Sequence, residues 1–291
     1  MVWASGWKLA SAVSNAGGLG LIGSGSMYPD VLREHIRKCK AATGNPFGVN
    51  VPILYADIEK HIAIIIEEGV KIVFTSAGNP KTWTPMLKEK GIQVVHVVSS
   101  SKFAVKSQEA GCDAVVAEGF EAGGHNGREE TTTMVLVPLV KQSVDIPVLA
   151  AGGIATGRQM LAAMVLGADG VQVGSRFVAS EEASSHAAFK EAVLHAGEGD
   201  THLSMKDIVP VRLLKNKFYD QVRELESHGA SKAELIALLG RGRAKKGMFE
   251  GSLEDGELEI GQVSAAIRNI LPAAQIVKEI WDEYEQIKSK L

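Results

Sequence analysis

Two cysteines in 291 residues, Cys39 and Cys112, are too few for a disulfide framework and show no metal-ligand spacing. No stretch of eighteen or more apolar residues is present to span a membrane. No basic region leads into an apolar signal core at the start. Neither sign of charge dominates: 31 Lys and Arg stand against 34 Asp and Glu, a net charge of −3. That balance lacks the basic footprint of a nucleic-acid or membrane-surface partner. Also missing is the fingerprint G-x-G-x-x-G opening a helix, which counts against a doubly wound dinucleotide fold. What these absences leave is a cytoplasmic protein of a reducing compartment with no metal site. A hydrophobic content of 45% supports a sizeable core, in one large domain or one domain with an insert.

What is present is an alternation of two periods. Short apolar runs at Leu19–Gly23, Phe47–Val51, Lys71–Ser76, Gln93–Val98, Asp113–Glu118, Pro147–Ala151 and Gly170–Gly174 read as strands buried on both faces. Helical patterning lies between them, at Pro29–Thr43, Ala56–Glu68, Thr82–Lys90, Lys102–Ala110, Thr132–Ser143 and Gly157–Leu166. Gly69, Gly91, Gly111 and Gly167 end helices just before the next strand, the position that favours a left-handed residue. Parallel strands with helical crossovers predict a TIM (β/α)₈ barrel. Seven strands are counted where eight are needed. Met1–Gly6 reads as the loop after a strand and Trp7–Asn15 as the helix that follows, so the first strand is expected to be missing at the N-terminus. The alternative is an open seven-stranded sheet. Residues 1–200 are assigned to the barrel, with Ser180–His195 as its last helix. Residues 201–262 form a small C-terminal helical cap, and residues 263–291 a terminal helix packing back on the barrel.

The segment Glu118-Gly-Phe-Glu-Ala-Gly-Gly-His125-Asn126-Gly127 follows a strand, at the end of the barrel where active sites lie. Gly123 and Gly124 carry no side chains, so backbone N–H groups can approach a flat ring or an anion. His125 can enter the same space as proton donor or cation. Its alternative is a loop histidine that caps a turn. Two further strand ends, Ala150-Ala-Gly152-Gly153 and Gln172-Val173-Gly174-Ser175, supply glycine turns one crossover apart, the arrangement of a phosphate site. Tight turns without a ligand are the alternative there. Asn50 ends another strand, where a buried amide needs partners that a flavin pyrimidine edge offers, or caps the next segment. Ser76 and Ser99 face the same mouth without an assigned role. The run Arg241-Gly-Arg-Ala-Lys-Lys246 is solvated cap surface or a contact for a substrate phosphate or acidic carrier protein.

Together, Asn15–Ile22, Phe47–Val51, Glu118–Gly127, Ala150–Ala155 and Gln172–Phe177 resemble the nitronate monooxygenase / 2-nitropropane dioxygenase superfamily, over nearly the whole chain. Within it the sequence is most similar to the FMN-dependent enoyl-acyl-carrier-protein reductases of the FabK type, which carry Glu at the position of Glu118 where many nitronate monooxygenases carry Gln. The segment Gly256–Gln262 points the same way. The resemblance implies FMN lying against Val2, Asn50, Glu118, Ala122, Gly123, Gly124, Gln172 and Val173. Its phosphate would lie on Gly152, Gly153, Gly174 and Ser175, and His125 would be catalytic at the substrate face. It also implies NADH or NADPH as reductant, an acyl thioester on acyl carrier protein as substrate, and a homodimer. Two other readings stay open: a nitronate monooxygenase using O₂, and a phosphate-ligand-binding barrel without redox chemistry.

Overall fold

The computed structural model describes residues 1–291. The elements run α1 (Trp7–Asn15), β1 (Gly20–Gly23), α2 (Pro29–Ala42), β2 (Phe47–Pro52), α3 (Ile58–Glu67), β3 (Ile72–Ser76), α4 (Thr84–Glu89) and β4 (Gln93–Val98). They continue through α5 (Ser101–Glu109), β5 (Ala114–Glu118), β6 (Gly124–His125), α6 (Thr133–Lys141), β7 (Val148–Ala151), α7 (Gly157–Val165), β8 (Gly170–Gln172) and α8 (Ser175–Val178). The last third holds α9 (Ala187–His195), β9 (Thr201–Ser204), β10 (Val211–Leu214), α10 (Lys217–Ser227), α11 (Lys232–Leu239) and α12 (Ala273–Lys288).

Seven strands form one parallel sheet in the order β1-β2-β3-β4-β5-β7-β8, so neighbours in sequence are neighbours in space. One face of each strand packs against the helices. Val49, Val51, Val73 and Val94 join α2 and α3 residues in one core, and Val115, Ala117, Val148 and Ala150 join α6 and α7 residues in another. The other face turns inward. Leu21 of β1 and Leu149 of β7 belong to the same small cluster as Phe74, Val95 and Val116. Strands that far apart in the sheet share side-chain contacts only because the sheet is curled, as in a TIM-type barrel. β1 and β8 are its two edges. Residues 1–5 lie beside both: the Gly23 N–H donates to the Ser5 carbonyl (2.9 Å), and the Met1 side chain reaches Gly174.

Gly69, Gly91, Gly111 and Gly167 all take positive φ, between 65° and 103°, and so close their helices. The last barrel helix is shorter than its pattern. It starts at Ala187, where the His186 ring accepts the Ala188 N–H as an N-cap, and Ser180 and Ser185 bond back to local carbonyls instead. The terminal helix likewise begins at Ala273, after Pro272, rather than at residue 263. It lies on α7 and α1. A side chain at Gly157 would collide with the backbone of Ile280 and Tyr284, and the Glu283 carboxylate accepts the Gly157 N–H (2.8 Å).

The cap region carries α10 and α11, and beside them a second sheet that helical patterning does not announce. β9 and β10 form an antiparallel hairpin, and β10 also pairs with β6 from the barrel, giving the order β6-β10-β9. Each strand has two to four residues, too short for a period-of-two pattern to stand out.

Candidate active site

Polar residues collect at the carboxyl ends of the strands, on the inward-facing register. Asn50 pairs in register with Gly23 and Phe74, and Glu118 with Ala151, which pairs in turn with Gln172. The Asn50 side chain caps nothing; its backbone carbonyl accepts from the Ser24 hydroxyl (2.8 Å). Burial pushes the Glu118 carboxyl up to about 7, against the opposing pull of the chain's ammonium end. A neutral carboxyl near neutral pH is a hydrogen-bond donor as well as an acceptor. The buried Gln172 Oε1 has no hydrogen-bond partner within the chain, which a buried amide oxygen tolerates poorly.

The glycine turns beside these residues have the geometry of an anion cradle. Gly152 and Gly153 both take positive φ, 93° and 70°, and a side chain on Gly152 would meet the Gly119 carbonyl at 2.8 Å. The N–H groups of Gly152, Gly153 and Gly174 donate to nothing within the chain. The Ser175 hydroxyl accepts the Gly261 N–H (3.0 Å), which leaves its own hydrogen free to donate. Unpaired backbone donors at the ends of two adjacent strands suit a phosphate, and the Gln172 oxygen suits an N–H on a heterocycle edge. The α7 N-terminus does not contribute, because Thr156 and Glu283 already occupy it. Two other positions differ from expectation in how they face the mouth. The Val173 side chain packs outward with the helices, so it offers the mouth only backbone. Val2 packs with the cap cluster that includes Val178, Leu258 and Ile260.

His125, on the loop after β5, is exposed, with its ring making no hydrogen bond in the chain and capping no turn. The loop carrying it is fixed from every side. Gly119 N–H donates to the Ala151 carbonyl (2.9 Å), Phe120 N–H to the Thr131 carbonyl (2.9 Å), and Gln262 N–H to the Glu121 carbonyl (2.9 Å). The Glu121 carboxylate accepts both the Thr133 N–H (2.9 Å) and the Thr133 hydroxyl (3.0 Å), closing the start of α6 where Thr132 makes no cap of its own. The Asn126 amide donates to the carbonyls of Ala122 (3.0 Å) and Gly124 (2.9 Å). Gly124 is in the left-handed region (φ 74°), and the Glu259 carboxylate lies against it. Ala122 itself is buried.

Glu121, Asn126, Thr133 and Glu259 shape the histidine loop, as does Arg212, which donates to the Phe120 carbonyl (2.9 Å), and motif reading gave none of them a role. Arg212 left a signal: a charge inside the apolar run Val211-Arg-Leu-Leu214 has to find a buried partner. Of the others, Asn126 acts within its own loop, Glu121 and Thr133 meet 12 residues apart and Glu259 comes from the far end of the chain; none left a signal. The buried Cys39 thiol is pushed up to about 11, and His61 is stacked on Tyr55 inside the core. In the basic run, Arg243 lies over the Phe218 ring and donates to three backbone carbonyls, while Lys245 and Lys246 pair with Glu250 and Asp255. No group of His, Cys, Asp and Glu is arranged to hold a metal ion, and no helix is long and apolar enough to cross a membrane.

The family model for nitronate monooxygenase matches residues 1–60 and 53–283. The solved structure of FabK from Thermotoga maritima superposes with a TM-score of 0.95 at 43% identity, covering 100% of this chain and 92% of that one. A dehydrogenase of Mycobacterium tuberculosis, named for a 5-hydroxy-7a-methyl-1-oxo-octahydro-1H-indene-4-carboxyl-CoA, is 36% identical over 250 residues, 84% of this chain and 69% of its own length. Of the Rhodococcus jostii enzyme of the same name, the chain spans 64%. A probable nitronate monooxygenase of Staphylococcus saprophyticus is 33% identical over 267 residues, covering 75% of each chain.

Proposed function

The chain belongs to the nitronate monooxygenase family of oxidoreductases, and from that premise we propose that it is an FMN-dependent enoyl-acyl-carrier-protein reductase. The observation that carries the cofactor is the presence, at the carboxyl ends of β7 and β8, of three unpaired glycine amides and the orphaned Gln172 Oε1, with the exposed His125 on the loop after β5. The reductase assignment is supported by the whole-length likeness to FabK and by Glu118 at the end of β5. A relative whose name carries an acyl-CoA supports a thioester substrate.

When bound, FMN supplies a hydride relay from NADH or NADPH to the β-carbon of a trans-2-enoyl thioester, whose α-carbon takes a proton. The chain's residues do the rest. Gly152, Gly153, Gly174 and Ser175 would hold the phosphate, while Asn50, Glu118 and Gln172 would hydrogen-bond the ring edge, with Ala122, Gly123 and Gly124 beside it. Val2 and the backbone at Val173 complete the wall. His125 holds a proton at the mouth, where it stabilises negative charge on the thioester oxygen or protonates the α-carbon. The acyl group would arrive on acyl carrier protein. The exposed apolar residues Met134, Val135 and Leu139 on α6 support a homodimer, which sedimentation at micromolar protein tests.

The test is anaerobic oxidation of NADH or NADPH by the FMN-loaded protein, with and without crotonyl thioester. Thioester-dependent oxidation upholds the reductase. Its absence, together with oxygen consumption on a nitronate, transfers the assignment to nitronate monooxygenase, the second reading that the family model and the staphylococcal relative favour.

A further inference from the structure

We propose that Arg212, from the cap, is a positioning residue that holds His125 at the mouth; this rests on the reading of His125 as the proton-bearing group. Arg212 is only 2% exposed. Its guanidinium lies 4.4 Å from the Phe120 ring centroid, and its Nε and Nη2 both donate to the Phe120 carbonyl, at 3.1 and 2.9 Å. Its own backbone pairs with Gly124 in the β10–β6 ladder, and the next pair joins Val211 to His125. One residue therefore grips the loop at both ends, five positions before His125 and directly beside it. Its charge meets a carbonyl rather than a carboxylate, so the contact is charge-assisted and directional. Lysine offers a compact ammonium in place of the planar fork and cannot make the same two converging bonds to one carbonyl while stacked on a ring. A loop freed at Phe120 lets the imidazole drift, and displacement of about 1 Å at a reacting group reduces turnover by roughly 100-fold.

The test uses FMN-loaded Arg212→Met and Arg212→Lys, with His125→Ala and the His125→Ala/Arg212→Met double variant. Two quantities are measured: amide hydrogen exchange across residues 119–127, and the rates of flavin reduction by nicotinamide and of reoxidation by crotonyl thioester. The expected result is faster exchange in that loop alone, unchanged flavin reduction, reoxidation slowed about 100-fold, and a double variant no slower than His125→Ala. Should Arg212→Met fail to fold, Phe120→Leu removes the stacked ring and leaves the carbonyl, with faster loop exchange again expected. Unchanged exchange over 119–127, or losses that multiply in the double variant, would overturn the proposal. Wild-type reoxidation in His125→Ala would instead remove the histidine reading, while the exchange data still decide whether Arg212 anchors the loop.

Discussion

The loop bearing His125 and the glycine turns at Gly152–Gly153 and Gly174–Ser175 stand on the same rim of the barrel, yet they are held by different means. The turns are made largely by backbone conformation, with donors left unpaired; the side chains that touch them are Thr133, whose hydroxyl reaches the Gly152 carbonyl (2.9 Å), and Ser175, which accepts the Gly261 N–H. The histidine loop is tied by side chains from remote parts of the chain: Thr133 of α6, Arg212 of β10, and the Gly261–Gln262 stretch through backbone. A binding surface for a fixed anion needs only donors in place. A group that must meet a reacting atom needs its own position fixed as well, and that takes contacts from several directions.

Four changes probe this difference, in descending order of effect. His125→Ala should lower turnover with crotonyl thioester by roughly 100- to 10,000-fold, with the melting temperature and bound FMN unchanged because the ring is exposed and unbonded. A parallel loss of stability would mean that the loop depends on the ring. Gly152→Ala should act on the other side of the comparison. It puts a side chain at φ 93° and against the Gly119 carbonyl, a strain of about 1–3 kcal/mol, and should appear as weaker FMN retention on gel filtration. Full FMN retention would argue that the turn is not the phosphate cradle.

Glu121→Gln replaces one of the carboxylate oxygens that face Thr133 with an N–H donor. A loss of about 1 kcal/mol is expected by analogy with a helix cap, read as a lower urea midpoint, and with it a smaller drop in turnover. An unchanged midpoint would show that α6 is closed without Glu121. The smallest effect is a slope. Because the Glu118 carboxyl is held at about 7 when folded and titrates lower when unfolded, the unfolded chain gives up its proton first as pH rises. Its contribution to stability is therefore present at low pH and is lost as pH rises through the window up to about 7. Glu118→Gln should flatten that part of the melting-temperature profile between pH 5 and pH 8. An identical profile would place Glu118 in contact with solvent.

Much of the glycine side of the site was legible in the chain. Gly69, Gly91, Gly111 and Gly167 marked helix ends, and Gly152 and Gly153 marked a turn no other residue adopts without strain, because these are local backbone requirements. The parallel strands were legible too, each apolar on both faces because helices cover one side and the curled interior the other. His125 announced itself by its place after Gly123 and Gly124 at a strand end. The hairpin of β9 and β10 did not, since four-residue strands in a charged segment give no dependable period, and β10 also pairs with β6, far away in sequence.

The sequence by itself thus determined the alternation of barrel strands and helices and the glycine turns, and marked His125 as the candidate proton carrier, all of them written in local conformational preference and burial period. Only the tertiary structure decided that Val173 faces outward, that Glu283 closes the α7 N-terminus, and that Arg212 and Glu121 hold the histidine loop. Those contacts join residues from 12 to 126 positions apart. A carboxylate or guanidinium satisfies a buried carbonyl or N–H equally well from any point in the chain, so its partner is chosen by the packing of the elements and not by the spacing of the residues.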